Sequence, residues 1–294
     1  MSDRDTPAPR IAIGIITMRR PAILAETLRD LGHQTVRPER IIVCATDPAD
    51  APELPAHAVF ILCEPGTSVQ RNRLIDAAEG CDLLVFFDDD FIPEPGYLAA
   101  TAAAFAADRA IIVTTGTVLA DGATGPGITL AEGRAIVAAL GPAPDATPGP
   151  AYNGYGCNMA VRLATVRATG VRFDERMPFY AWYEDIDFTR RLGAGGRICV
   201  LPAARGVHLG TKTGRGSGVR LGYAQMVNPI HIARNGGYHW GRALRSVARH
   251  LAINALRSLR PEPYVDRRGR LRGNLVGVAD LLRGRVDPGR AARL

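Results

Sequence analysis

Short apolar runs alternate with segments of helical periodicity along the first 120 residues. The runs are bounded by Gly, Pro and Asp, which is typical of buried strands, and the segments between them are long enough for helices. The predicted strands are Arg10 to Thr17, Arg40 to Cys44, Ala58 to Leu62, Leu83 to Phe87 and Ala110 to Val118. The predicted helices are Pro21 to Leu31, Val69 to Ala78 and Tyr97 to Ala107. This alternation predicts an α/β fold around a mostly parallel sheet.

A segment rich in Gly, Pro and Ala, Asp121 to Pro150, interrupts the alternation. We interpret it as an insertion or loop with one helix near Glu132 to Leu140. Regular patterning then resumes. The later predicted elements are a strand Asn158 to Val161, a helix Arg162 to Thr169, a helix Glu184 to Leu192 and a strand Arg197 to Leu201.

The C-terminal part of the chain is basic and predicted to be helical. Between His231 and Leu294 there are 14 arginines against four acidic residues, a net charge of +10, whereas the whole chain carries +7. Apolar residues at helical spacing and arginines on the other side predict a basic amphipathic helix. These are Trp240, Leu244, Val247 and Leu251, and Arg242, Arg245 and Arg249. Such a helix could lie on an anionic membrane, pack on the core or a partner subunit, or bind nucleic acid; without a base-reading motif the first two are favoured.

The overall composition is that of a soluble globular protein. The 294 residues are 47% hydrophobic and 22% charged, enough for one large α/β domain or two small ones. No run approaches 18 apolar residues, and the polar first ten residues do not resemble a signal peptide. The five cysteines are odd in number and form no C-x-x-C pair, so we expect reduced core residues. We expect a cytoplasmic protein, with the inner face of the cell membrane as a further location.

Three consecutive acids, Asp88, Asp89 and Asp90, come directly after the predicted strand Leu83 to Phe87. Ligands of open α/β sheets bind at the carboxyl ends of the strands. Adjacent carboxylates repel, so a cation or water must compensate them, and oxygen-rich sites suit Mg²⁺ or Mn²⁺ with a phosphorylated ligand. The alternative interpretation is an acidic turn that caps the following helix.

A second acidic cluster lies at the start of a predicted helix, in the segment Trp182 to Asp185. Backbone N–H groups at a helix start favour negative charge, and a carboxylate held there can act as a general base. On local sequence alone a structural role is favoured instead, in which the acids cap the helix and Asp187 forms a surface i,i+4 pair with Arg191.

Three cationic or metal-binding candidates complete the set. His208 lies in a Gly-rich stretch and is either a metal ligand or an exposed loop residue. The segment after it, Thr211 to Gly218, is either a loop that closes over a diphosphate or a linker, and it does not match a Walker motif. Arg71-Asn72 near a helix start either holds an anion or belongs to an exposed face.

In this order, these motifs resemble those of a family 2 glycosyltransferase of the GT-A fold. The matching pieces are Ile13-Gly14-Ile15-Ile16-Thr17, Arg71-Asn72, Asp88-Asp89-Asp90, Gly156-Cys157-Asn158-Met159-Ala160, Phe173-Asp174-Glu175, Glu184-Asp185-Ile186-Asp187-Phe188 and His208. Each piece is weak alone, but the ordered set is fairly specific and spans about two-thirds of the chain.

The resemblance implies a nucleotide-sugar donor, most often a UDP-sugar, a Mn²⁺ or Mg²⁺ ion, and a carbohydrate or lipid-linked glycan as acceptor. For the donor it implies Thr17, Arg19, Asp47, Arg71, Asp88 and Asp89, of which Asp47 keeps the family's spacing only loosely. For the metal it implies Asp88, Asp90 and His208. For catalysis it implies Asp185 as the base with Glu184 as the substitute, and for the sugar and acceptor Trp182, Tyr183 and Asn158. One base, one metal and no evident covalent nucleophile predict a single in-line displacement with inversion.

The expected organisation is a flexible N-terminus (1–9), a GT-A catalytic domain (10–230) and an Arg-rich helical extension (231–294). The catalytic domain would contain a nucleotide-sugar half (10–118), an insertion (119–150) and an acceptor half (151–230), acting in polysaccharide or glycolipid assembly. One alternative is a sugar-1-phosphate nucleotidyltransferase, but the stretch Thr17 to Pro21 lacks the glycines of that class. Another is a non-catalytic membrane or nucleic-acid adaptor, against which the intact acidic clusters argue.

Overall fold

The computed structural model describes residues 8–143, 145–212 and 216–294. These residues form two compact units. The first comprises 8–64, 70–172 and 192–212, and the second comprises 65–69, 173–191 and 216–294. Most of the predicted flexible N-terminus and the centre of the predicted cationic loop, residues 213–215, lie outside the described residues.

The first unit is built on a sheet that has nine strands within the described residues. The strands are β1 Ile11–Ile16, β2 Arg40–Ala45, β3 Ala58–Leu62, β4 Leu83–Asp88, β5 Phe91–Pro93, β6 Ile111–Asp121, β7 Gly149–Pro150, β8 Asn158–Arg162 and β9 Arg197–His208. Their order is β3-β2-β1-β4-β8-β6-β9-β5, and β7 pairs with β9. Strands β1 to β4, β6 and β9 run parallel, whereas β5, β7 and β8 run against them. The predicted α/β fold with a mostly parallel sheet is confirmed.

The helices of the first 170 residues lie between these strands along the chain. They are α1 Pro21–Leu31, α2 Thr67–Ala77, α3 Tyr97–Ala107, α4 Leu130–Ala138 and α5 Leu163–Thr169. Helix α1 begins at Pro21, whose missing N–H costs nothing in a first turn. Its residues Leu24, Leu28 and Leu31 are buried and join the core formed by inward-facing strand residues such as Ile13 and Phe87. Strands buried on both sides explain the continuous apolar runs.

The predicted insertion contains regular structure at both ends. Strand β6 extends to Asp121, and α4 starts two residues before the helix predicted at Glu132. A capping box fixes that start, because Thr129 accepts from the backbone N–H of Glu132 and the Glu132 carboxylate accepts from the backbone N–H of Thr129.

Strand β9 is seven residues longer than predicted and ends at His208 instead of Leu201. Its register shifts between Gly116 and Thr117 of β6, and beyond the shift it continues beside the short strand β5. A buried ion pair supports this extension, because Nε and Nη2 of Arg205 both donate to Oε2 of Glu94, at 3.0 and 2.8 Å. The expectation that His208 lies in a loop is therefore wrong, since it is the last residue of a strand.

The second unit is helical and includes the basic C-terminal segment. Its helices are α6 Glu184–Leu192, α7 Gly218–Arg234, α8 Trp240–Arg257 and α9 Arg267–Leu282. The predicted helical C-terminal segment is confirmed, although the domain boundary predicted at residue 231 falls inside α7. Among the helices of the described residues, none combines the length and apolarity needed to cross a bilayer.

Candidate functional site

Three of the predicted site residues meet at the carboxyl end of strand β4. One ligand atom from each of Asp88, Asp90 and His208 lies within 4.8 Å of the other two. The His208 Nε2 atom is 3.7 Å from Asp88 Oδ2 and 3.4 Å from Asp90 Oδ1. The pairing of His208 with Phe91 brings the imidazole to the acidic turn, because Phe91 directly follows Asp90.

Asp121, which the sequence analysis missed, orients the imidazole. Its Oδ1 lies 2.9 Å from His208 Nδ1, and the two residues are paired at the ends of β6 and β9. Its other oxygen accepts from the Tyr155 hydroxyl at 2.9 Å. A carboxylate on one imidazole nitrogen fixes the tautomer that presents the other nitrogen to a metal. The available signal was weak, because Asp121 lies three residues past the predicted strand Ala110 to Val118 and opens a Gly-rich stretch.

The electrostatics of the cluster favour a cation among the carboxylates. Burial would lower the pKa of His208, but hydrogen bonds to Asp121 and Asp90 outweigh it and raise that pKa to about 10. Burial would raise the pKa of Asp90, but the hydrogen bond and charge of His208, with the charge of Arg20, hold it well below its usual range. The backbone N–H of Thr211 also donates to Asp90 Oδ2 at 2.7 Å.

The donor set fits a divalent metal ion. Ligands of an octahedral Mg²⁺ or similar ion at about 2.0–2.1 Å lie roughly 3 Å apart when adjacent and roughly 4 Å apart when opposite. The separations of His208 Nε2 from the two carboxylates, 3.7 and 3.4 Å, lie within this range. Carboxylates suit Mg²⁺ and Mn²⁺, and an imidazole adds preference for a transition metal, so the three side chains would hold the cation in place of the imidazolium proton.

The middle acid of the triplet has a different environment. Asp89 is buried; it accepts from the Thr17 hydroxyl at 2.7 Å and from Arg20 Nη1 at 2.9 Å. Burial raises the pKa of the Asp89 carboxyl to about 7, against the opposing charge of Arg20. The backbone carbonyl of Asp89 also accepts from the Thr27 hydroxyl at 2.6 Å. Thr17 and Asp89, predicted donor ligands, are thus bonded to each other and join β1 and α1 to the acidic turn.

Arg71 is a buried cation beside the first acid of the cluster. Its Nη2 donates to the Gly156 carbonyl at 3.0 Å and lies 3.3 Å from Asp88 Oδ1. A Cβ atom at position 156 would approach the guanidinium to 2.8 Å, so the glycine leaves the space that Arg71 occupies. The predicted exposed-face alternative for Arg71 is excluded by its burial.

The remaining donor candidates lie on the surface of the first unit or inside it. Asp47 is exposed and accepts from Ala49 N, which starts a short 3₁₀ turn. Arg19 has an exposed side chain and a left-handed backbone (φ 59°) whose N–H donates to buried Asp50 at 2.8 Å. Asn158 is fully buried, accepts from the Thr115 hydroxyl, and has an Nδ2 group without a partner among the described residues. Their roles toward a donor or sugar stay predictions.

The second acidic cluster starts helix α6 in the second unit. The loop before it has three non-glycine residues with positive φ, Phe179, Ala181 and Tyr183. Such strained backbone concentrates at functional sites. It leads directly into Glu184, which is buried, and Asp185, which is half-buried.

The expected surface ion pair in helix α6 needs correction. Asp187 does pair with Arg191, at 2.6 Å between Oδ2 and Nη2, but Asp187 is buried and not at the surface. Its Oδ1 atom has no hydrogen-bond partner among the described residues.

Aromatic side chains line up directly before the candidate base. The rings of Trp182 and Tyr183 stack with centroids 5.1 Å apart, and the Tyr183 hydroxyl lies 2.8 Å from Ser246 Oγ on α8. His250 of the same helix contacts the Trp182 ring edge-on at 5.5 Å. The Trp182 indole nitrogen is buried and has no partner in the described part of the chain. Two of the three residues predicted for the sugar and acceptor, Trp182 and Tyr183, therefore lie in one cluster, whereas the third, Asn158, is buried in strand β8 of the first unit.

Comparisons with solved structures give the fold family. TarS from S. aureus superposes with a TM-score of 0.50 at 16% identity, over 75% of this chain and 39% of that one. GalNAc-T7 with UDP, GalNAc and Mn²⁺ gives 0.56 at 11% identity, over 95% and 57%. A mannosyltransferase from Pyrobaculum calidifontis with GDP-Man and Mn²⁺ gives 0.53 at 15% identity, over 98% and 79%. No protein-family model and no curated protein sequence matches the chain.

These likenesses show a shared fold. The chain therefore has the GT-A glycosyltransferase fold that its motifs predicted, and it spans well under two-thirds of the TarS and GalNAc-T7 chains.

Proposed function

We propose that the protein is a metal-dependent glycosyltransferase of family 2 type, which moves a sugar from a nucleotide-sugar donor to a hydroxyl group. The observation that carries the proposal is the cluster of Asp88, Asp90 and His208, oriented by Asp121 at the carboxyl edge of a GT-A sheet. Its structural relatives support it, because GalNAc-T7 and the mannosyltransferase were solved with a nucleotide and Mn²⁺.

The proposed roles follow from the chemistry of the side chains. Asp88, Asp90 and His208 hold a divalent cation, Mn²⁺ or Mg²⁺, which when bound neutralises charge on a departing diphosphate. Arg71 places a buried positive charge beside Asp88 and limits the net negative charge of the site. Asp185 takes the proton of the acceptor hydroxyl, a contribution typically worth ~10²–10⁴-fold in rate, with Glu184 as the substitute.

The stereochemical outcome and the biological setting belong to the same proposal. One base and one metal site, with no covalent nucleophile identified, support inversion in a single displacement. A UDP-sugar is the first donor to test. The proposed setting is polysaccharide or glycolipid assembly of the cell envelope, on the cytoplasmic side.

The test is a calorimetric titration with UDP, GDP and dTDP, each with and without Mn²⁺. We expect one nucleotide to bind only with the metal, and the variant Asp90→Asn to lose that binding. The conservative amide is chosen because Asp90 is buried and accepts a hydrogen bond from the backbone N–H of Thr211. Glu79→Gln, an exposed acid at the end of the α2 region, is the control. Metal-independent binding, or binding unchanged by Asp90→Asn, would contradict the proposal.

A further inference from the structure

Helix α8 is fixed to the second unit along one side. Val247 and Leu251 pack against the buried side chains of Tyr223 and Met226 on α7. The Asn254 amide donates to Gln225 at 2.9 Å and to Asn274 at 2.8 Å, inside the helical core. The orientation of α8 about its own axis is therefore set by both apolar and polar contacts.

The solvent-exposed sector of α8, which begins beside these packed residues, carries large apolar side chains. Trp240 is 47% exposed, Leu244 57%, Leu256 72%, and Leu259, in the turn after the helix, 76%. At 100° per residue, Trp240, Leu244 and Leu256 fall within roughly 160° of the helix circumference, and exposed Ala248 lies between them. Of the predicted apolar stripe, Val247 and Leu251 are packed, whereas Trp240 and Leu244 beside them are exposed. Single exposed apolar residues are common, but several large ones along one sector of a helix and the turn after it indicate an interaction surface.

Arginines lie among these exposed apolar side chains, and no acid accompanies them. Arg245 and Arg249 are exposed at roughly 140° and 180° on the same scale, and exposed Arg260 follows the helix. The sequence from Trp240 to Arg260 has no Asp or Glu. None of these three arginines forms an ion pair with another described residue. The outward face therefore combines apolar contact area with uncompensated positive charge.

We propose that this face of α8, defined by Trp240, Leu244, Leu256, Arg245 and Arg249, docks on an anionic lipid bilayer. Leucines and a tryptophan enter the boundary between headgroups and acyl chains, and arginines bind anionic headgroups. Tryptophan is favoured at this depth because its ring is apolar and its N–H stays hydrated.

The charge pattern argues against the other occupants. In a two-fold dimer through this face, the arginine rows of the two copies would approach each other with no carboxylate between them. Nucleic acid would satisfy the arginines but leave the leucine stripe without a partner. A bilayer is the partner that satisfies both.

The membrane face and the candidate base are connected through the same helix. The inner side of α8 carries Ser246 and His250, which contact the aromatic residues Tyr183 and Trp182 that directly precede α6. If the proposed function holds, this arrangement assigns the acceptor to lipid-linked glycans presented at the membrane surface. The docking itself stands without that assignment.

The first test uses the protein's own fluorescence. The chain has two tryptophans, so the variant Trp182→Phe leaves Trp240 as the sole indole emitter. We expect a blue shift of its emission, and quenching by brominated lipid, with vesicles that contain phosphatidylglycerol and not with phosphatidylcholine alone. An unchanged spectrum with both kinds of vesicle would overturn the proposal.

The second test separates charge from apolar contact by vesicle sedimentation of the full chain. Because each arginine near an anionic surface contributes about 1 kcal/mol, Arg245→Gln with Arg249→Gln should weaken binding by about 30-fold. Leu244→Gln with Leu256→Gln should weaken it by at least as much. The matched control is Leu62→Gln with Arg37→Gln, equally exposed positions on the first unit, which should bind as the parent does. All six substituted positions are exposed, so unchanged thermal melting is expected and verifies folding.

Two outcomes would refute the docking surface. One is equal vesicle binding by the parent and both α8 pairs. The other is a dimer in solution that the leucine pair abolishes, which would assign the face to a second copy. Failure of the proposed function looks different, because the nucleotide titration would then fail while vesicle binding persists. Transfer to a short soluble acceptor should survive both α8 pairs, and only transfer to a lipid-linked acceptor should fall.

Discussion

His208 carries a proton that the neighbouring carboxylates hold in place. Its pKa is raised to about 10, above the ordinary value of 6.5, so the resulting stabilisation is complete below about pH 6.5 and is lost as the pH rises toward 10. We expect the unfolding free energy of the metal-free protein to fall by about 2 kcal/mol between pH 7.5 and 9. Urea denaturation in the presence of a chelator measures this.

The control for that experiment is His208→Gln, which should show no comparable fall in the same window. This pH window avoids the titration of Asp89, whose pKa is raised to about 7. The stabilisation that Asp89 contributes is lost between about pH 4 and pH 7 as the pH rises, below the window used here. Equal pH dependence in parent and variant would show that the imidazole is not held as an imidazolium.

Asp121 should act on metal binding through His208 without contacting the ion. The substitution Asp121→Asn removes the charge that fixes the Nδ1–H group, and loss of such a supporting carboxylate typically costs 10–100-fold in metal affinity. We expect weakening of that order for Mn²⁺, measured by calorimetry without nucleotide. Glu79→Gln should bind Mn²⁺ as the parent does, and an unchanged Asp121→Asn affinity would remove Asp121 from this role.

At the residue scale, the sequence singled out the acids and the histidine but not their supporting residues. Asp88 and Asp90 stand out because they follow a buried strand. Arg20 and Asp121 do not, since an arginine after a strand or an acid in a Gly-rich stretch has many possible surroundings. The role of Asp121 depends on pairing across the sheet, which brings it to His208 although the two residues are 87 positions apart in the sequence.

The turn after β9 requires glycine at position 210. Gly210 has φ +65°, and a Cβ atom there would lie 2.1 Å from the carbonyl carbon of Gly122. Gly80 has a similar φ of +82° but open space around it. An alanine at position 80 therefore measures the cost of backbone strain without the steric clash expected at position 210. We expect Gly80→Ala to cost about 1 kcal/mol and Gly210→Ala about 3 kcal/mol or more. Thermal melting of both variants measures the difference, and equal melting temperatures would show that the backbones around Gly210 can separate.

Gly210→Ala should also weaken Mn²⁺ binding, because the following Thr211 donates its N–H to Asp90. Gly80→Ala should leave metal affinity unchanged. Metal affinity unaffected by Gly210→Ala would mean that this turn does not position the acid.

At the element scale, local pattern was enough where each element is stabilised by its own buried face. The predicted bounds of α1, β3, α3 and α6 match the structure. Strand β5 and the second half of β9 were not predictable, because Pro, Ala, Arg and Gly residues give them no strand pattern. The two segments pair with each other, and the ion pair between Arg205 and Glu94, 111 residues apart, supports this pairing.

At the scale of the whole molecule, the sequence showed the order of the motifs but not how the chain is divided. The segment 65–69, next to the first three strands in sequence, belongs to the second unit, where Thr67 N donates to the Phe179 carbonyl at 2.7 Å. The basic C-terminal helices and the acidic cluster of α6 share that unit. A linear division at a single residue cannot describe a unit assembled from three separate segments.

This division predicts that three properties can be lost one at a time. Asp90→Asn should abolish metal-dependent nucleotide binding and leave vesicle binding intact. Asp185→Asn should keep nucleotide and vesicle binding but lose at least 10²-fold in transfer rate, because only proton removal is affected. Arg245→Gln with Arg249→Gln should weaken vesicle binding and leave nucleotide binding and transfer to a soluble acceptor unchanged. Calorimetry, product analysis for nucleoside diphosphate and vesicle sedimentation on the same three proteins measure this. If Asp185→Asn retains full turnover, the base is Glu184 or another group, and if one variant loses all three properties, the protein is unfolded or the sites are coupled.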